Sequence, residues 1–69
     1  MDLTQAVNLA AEKLPVGYEI IITVEKNGYG VVLCDKYCKE SNVDGGDGLV
    51  SDILEAIDLS IEDEVRYND

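Results

Sequence analysis

The chain has 69 residues, 46% of them hydrophobic, and sets 15 acids against 5 bases for a net charge of −10. That length predicts one domain, residues 1–69, with enough apolar residues to fold but a small core, since a domain of this size buries only about 60% of its unfolded surface. A field of that sign excludes direct binding to nucleic acid or to an anionic membrane and draws in basic partners.

The charge is unevenly placed. Residues 1–39 carry a net −1, whereas residues 40–69 hold ten acids and a single base, Arg66. No apolar run approaches the ~18–20 residues of a membrane span. Met1-Asp2-Leu3-Thr4 lacks the basic and apolar regions of a signal peptide. The expected setting is the cytoplasm, where Cys34 and Cys38 stay reduced.

Leu3, Ala6, Val7, Ala10 and Leu14 form one helical stripe. Asp2 is placed to cap this first helix, and Gln5 completes a capping box. Pro15 removes the N–H that would continue it, so the helix should end near Lys13.

"YEIIITVEK" and "YGVVLC" flank Asn27-Gly28, a strong hairpin signal because a type I′ turn needs positive φ at both central residues. A two-residue loop there pairs Val24 with Val31, Ile22 with Leu33 and, on the other face, Glu19 with Lys36. Residues 35–43 predict a turn and a short third strand around Cys38–Val43. "DGGDG", residues 44–48, reads as a loop into a second helix from Leu49 to about Val65, with Asp47 or Ser51 as its N-cap. The expected fold is α+β, in the order α-β-β-(β)-α, with both helices on one face of a two- or three-stranded antiparallel sheet.

Little here points to catalysis. The chain has no histidine, no Ser or Cys has an evident activating partner, and carboxylates on a solvated helix do poor acid–base work. Cys34 and Cys38 form one C-x₃-C pair, short of the four ligands a structural zinc site needs. The 44–48 loop fails the calcium-loop pattern, because glycines fall where oxygen ligands belong. No cofactor and no metal are expected.

The second helix is the informative element. At about 100° per residue, Val50, Ile53, Leu54, Ile57, Ile61 and Val65 form the expected buried arc. Asp52, Glu55, Asp58, Glu62 and Asp63 take the other side, with Leu59 pointing outward among them. Residues 52–63 span about 17 Å, close to one carboxylate per ~3.4 Å, the phosphate spacing along one DNA strand. Exposed helices ordinarily mix signs and gain from i, i+4 pairs, whereas like charges here repel. Those residues, with Asp44 and Asp47 in the preceding loop, are the candidate partner-binding set, and Leu59 is its apolar anchor.

A short, very acidic α/β chain of this kind resembles the phage-encoded DNA-mimic inhibitors, in particular the small anti-CRISPR proteins. The resemblance spans the chain but rests on size, charge and the helix over residues 51–64. It implies a monomeric, non-enzymatic inhibitor that blocks the DNA-binding surface of a CRISPR–Cas effector in the host cytoplasm. Residues 18–60, from "YEIIITVEKNGYGVVLCDKYC" through "LVSDILEAIDLSI", are also similar to the β-β-β-α core of HicB-type antitoxins. Here Leu33-Cys34-Asp35-Lys36-Tyr37 stands in place of their Pro-Asp-Leu-Pro-Gly-like stretch. That likeness implies a partner that is a small basic RNase.

Overall fold

The computed structural model describes residues 1–68. Helix α1 (Leu3–Lys13) leads into strands β1 (Glu19–Glu25), β2 (Gly28–Cys34) and β3 (Glu40–Val43), followed by helix α2 (Leu49–Tyr67). The strands form one antiparallel sheet in the order β1-β2-β3, so the fold is α+β with the third strand present. Among the described residues, no helix is long and apolar enough to cross a membrane.

Helix α1 starts as its sequence dictates. The Asp2 carboxylate accepts from the Gln5 N–H at 2.8 Å, and the Gln5 side-chain oxygen accepts from the Asp2 N–H at 2.9 Å. The helix stops at Lys13, ahead of Pro15.

The core has two parts that share α2. Against the sheet, Ala56 packs with Tyr18, Val31, Leu33 and Val43. Against α1, Ile53 and Ile57 pack with Ala6 and Ala10. Leu14, Ile20 and Leu49 touch both clusters and join them. Beside α1, an open apolar notch of about 170 Å³ lies between Val7 and Ala10 on one side and Ile20 and Ile22 on the other.

The hairpin register differs from the expected one by two residues. Ile20 faces Leu33, Ile22 faces Val31 and Val24 faces Tyr29, and the loop is Lys26-Asn27. A two-residue slip keeps every side chain on its own face, so Ile20, Val31 and Leu33 still point at the helices. The far end of β2 excludes the expected Glu19–Lys36 pair. The Asp35 carboxylate accepts from the Tyr37 and Lys39 N–H groups at 2.8 and 2.9 Å, which turns the chain immediately after Cys34. Strand β2 therefore never reaches Lys36, and Glu19 pairs with Cys34 instead. None of Lys26, Asn27 and Gly28 lies in the left-handed region, so the turn is not type I′. An added Cβ at Gly28 would meet nothing within 4 Å, and the expected need for glycine at Gly28 does not hold.

The only non-glycine residue at positive φ among those described is Cys38, at 66°. It sits in the β2–β3 turn, where its N–H donates to the Asp35 carbonyl at 3.0 Å and the Asp35 N–H donates to the Lys39 carbonyl at 3.0 Å. A tight turn closed by a left-handed residue is the three-residue hairpin loop in which glycine is usual. Cys38→Gly should raise stability by about 0.5–1 kcal/mol, the left-handed penalty relieved less the freedom glycine gains in the unfolded chain. Urea denaturation should show a higher midpoint at an unchanged slope.

Candidate partner-binding face

The candidate face lies on α2, and its exposure is set by how that helix is rotated. Ala56 and Ser60 are both 0% exposed and form the line of closest approach to the interior. The Ser60 hydroxyl satisfies itself by donating to the Ile57 carbonyl at 2.6 Å. Ile61 and Val65, expected in the buried arc, are exposed. Leu59, expected to point outward as an anchor, is half-buried against the sheet-side cluster. The physical reason is that side chains as small as Ala56 and Ser60 allow close approach to the sheet. Ranking positions by hydrophobic bulk therefore misplaced the buried centre of the helix.

The rotation sorts the carboxylates into three groups. Glu55, Asp58 and Glu62 are exposed. They follow i, i+3, i+7, one narrow stripe about 10 Å long at ~1.5 Å per residue. Asp63 is half-buried and lies 3.7 Å from the Arg66 guanidinium, so its charge is partly answered within the helix. Asp52 leaves the face altogether. It is 7% exposed, and its Oδ1 accepts from the Gly45 N–H at 2.6 Å. An added Cβ at Gly45 would stand 2.6 Å from the Ser51 carbonyl oxygen, so the loop reaches the first turn of α2 only because residue 45 has no side chain.

Neither Asp47 nor Ser51 caps α2. The N-cap is Gly48, at φ 115°, with no side-chain cap. Asp44 and Asp47 are both exposed in the loop leading to α2, and Asp44 Oδ1 accepts from the Gly46 N–H at 3.0 Å. Of the eight expected site residues, the structure leaves Glu55, Asp58, Glu62, Asp44 and Asp47 free to meet a partner.

The other end of α2 holds a cluster the sequence reading missed. Asp35, 4% exposed, takes the Tyr67 hydroxyl on Oδ2 at 2.7 Å in addition to its two backbone donors. Tyr37 packs edge-to-face on Tyr67 with ring centroids 5.0 Å apart. The Lys36 ammonium lies 3.1 Å from Glu64 Oε2, and 5.3 and 5.7 Å from the Tyr67 and Tyr37 ring centres. Lys36 is thus committed to α2 rather than to Glu19. An Asp ahead of a tight turn is a recognised local signal, but nothing in the sequence tied it to a tyrosine 32 residues on.

Cys34 is half-buried and Cys38 exposed, both free. Burial, then the neighbouring Cys38 and nearby carboxylates, push the Cys34 thiol up, away from the reactive thiolate. Among the described residues, no group of three or more His, Cys, Asp or Glu side chains is arranged to hold a metal ion. No family model, curated protein or solved structure matches the chain.

The Tyr67 and Lys39 hydrogen bonds hold the Asp35 carboxyl below the usual carboxylate range against the opposing effect of burial. The same Tyr67–Asp35 bond pushes the Tyr67 hydroxyl up from 10.0 to about 12. The Asp35 contribution to stability is present above about pH 4. It is lost as pH falls through the lowered Asp35 value. The Tyr67 contribution is present below pH 10.0 and lost as pH rises towards about 12. Tyr67→Phe should therefore move acid unfolding to higher pH. It should also shrink the alkaline loss to the part due to Tyr18, whose burial raises its own hydroxyl. Circular dichroism melts across pH measure both.

Proposed function

We propose that this protein is a non-enzymatic inhibitor that presents carboxylates in place of phosphates to a basic nucleic-acid-binding surface, with the DNA-binding channel of a CRISPR–Cas effector in the cytoplasm as the favoured target. The observation that carries this reading is the stripe of Glu55, Asp58 and Glu62. All three are exposed on one face of α2, and the first base along that face, Arg66, is engaged by Asp63. Like charges at positions 58 and 62 are i, i+4 neighbours and repel, which costs the free helix ~0.2–0.5 kcal/mol per pair. Cationic side chains across an interface would remove that repulsion. Asp44 and Asp47 extend the acidic surface into the loop. The stripe is shorter and sparser than the five-carboxylate face expected from the sequence: three carboxylates over about 10 Å, one per ~5 Å, span the length of about four phosphates at ~3.4 Å along one strand.

A second reading has one specific observation in its favour. Strand β3 precedes α2, which gives the β-β-β-α order of the HicB-type antitoxin core. On that reading the same stripe occludes a small basic RNase.

The test is competition with target DNA for purified guide-loaded effector complexes, followed by fluorescence polarisation. Wild type should block DNA binding, with an association rate that falls as salt rises. Changing Glu55, Asp58 and Glu62 together to Lys, which brings the net charge from −10 to −4, should lower the association rate by about tenfold or more and flatten its salt dependence. Asp52→Ala should act differently. It should leave the association rate of folded protein unchanged and cost about 1–3 kcal/mol of stability, because the Gly45 N–H loses its partner. A triple variant that folds and inhibits as well as wild type would refute the decoy reading.

A further inference from the structure

Helix α2 carries an apolar strip that outruns its cover. Val50, Ile53, Leu54 and Ile57 pack towards α1. The strip continues at i, i+4 spacing through Ile61 and Val65, which are 43% and 59% exposed. The lengths explain this. Helix α1 has 11 residues against 19 in α2, so α1 cannot cover the whole strip. Asp58 and Glu62, both exposed, run alongside Ile61 and Val65 on the adjacent helix positions. Of the bases towards this end of α2, Lys36 lies 3.1 Å from Glu64 and Arg66, largely exposed, lies 3.7 Å from Asp63, while Lys39 lines a cleft with Asp63 and Arg66.

We infer that Ile61 and Val65 form the apolar half of a composite docking ridge whose occupant is an apolar patch rimmed by Lys or Arg on the basic partner protein. This rests on the acidic-decoy reading and assigns the anchoring role expected of Leu59 to two other residues. Charge complementarity selects the occupant. Phosphates and anionic headgroups are repelled by Asp58 and Glu62. A second copy packed two-fold on the ridge would bring those carboxylates towards their own equivalents, with a net charge of −10 on each chain. A basic surface around an apolar patch satisfies both halves. The acids then govern approach, and the burial of Ile61 and Val65 governs how long the complex lasts.

The probes are a short amphipathic helical peptide of leucine and lysine, and a control of equal charge in which alanine replaces leucine. Wild type should bind the leucine peptide about tenfold or more tightly than the control, with the difference in the dissociation rate. The double variant Ile61→Gln, Val65→Gln should lose that preference while binding the control peptide as before. Val65→Gln alone, at the more exposed position, should lose part of it and serves if the double variant melts early. A preference that survives these changes overturns the ridge. The decoy reading then still stands if Glu55→Gln, Asp58→Gln and Glu62→Gln together weaken both peptides equally. If that triple variant binds both peptides as wild type does, the decoy reading fails and the ridge with it. Light scattering supplies the remaining arm: a wild-type dimer that Ile61→Gln, Val65→Gln turns into a monomer would assign the ridge to a second copy and overturn the proposal.

Discussion

The close seating of Ala56 and Ser60 against the interior is the constraint on which the rest of this fold depends. Neither side chain has the bulk to hold α2 away from the sheet, and both are fully buried. That contact fixes the rotation of α2, and the rotation decides everything on its surface. It carries Leu59 towards the sheet, leaves Glu55, Asp58 and Glu62 outside, and turns the line through Ile61 and Val65 out beyond the reach of α1. A leucine at Ala56 would have to be accommodated either by lifting the helix or by turning it, and interiors packed at crystal-like density tolerate neither cheaply.

Two carboxylates then hold the helix at its ends, and both do so by leaving the acidic surface. Asp52 ties the first turn to the Gly45 N–H, and Asp35 ties the last turn through the Tyr67 hydroxyl. The two interactions share a logic. Each buried acid answers backbone N–H groups of a tight loop that has no other regular structure to satisfy them. Asp52 also lies in the first turn of α2, where its charge meets the positive end of the helix dipole and strengthens the contact. These ties add to the packing of Leu49 and Val50 in the first turn and the Lys36–Glu64 pair near the last, so a 19-residue helix whose exposed face carries like charges is held at both ends.

What was legible in the sequence follows from which forces act locally. The Asp2–Gln5 capping box and the stop before Pro15 are decided within a few residues, and α1 is where its sequence puts it. The element order and the inner face of the hairpin follow from the two- and 3.6-residue periods, so a register error of two residues left Ile20, Val31 and Leu33 on the correct side. The register itself was not legible: the loop falls on Lys26-Asn27 rather than Asn27-Gly28, and the Asp35 turn that ends β2 at Cys34 removes the expected Glu19–Lys36 pair. The phase of α2 was misread because hydrophobic bulk marks the flanks of this helix and small residues mark its centre. Five of the eight expected site residues remain available to a partner, and the losses, Asp52, Leu59 and Asp63, are each explained by a contact that depends on that phase or on the loop before it. The Asp35–Tyr67 bond joins residues too distant in sequence for any periodic pattern to register.

The retained stripe is smaller than the sequence implied, yet its position sharpens the physical case for a basic partner. An acid face that served only solubility would gain stability from interspersed lysines at i, i+4, and the chain has bases it could have placed there. Instead Lys36 and Arg66 answer Glu64 and Asp63, which lie off the stripe on half-buried positions. Within the stripe from Glu55 to Glu62 no base is interspersed, and the first, Arg66, stands four residues beyond Glu62 and is largely exposed. Exposed ion pairs contribute little in any case, so withholding them costs the free protein only a few tenths of a kcal/mol per pair while leaving an uncancelled field for encounter. Apolar bulk stands exposed at Ile61 and Val65 beside the acidic stripe, the arrangement that the proposed basic partner would complement.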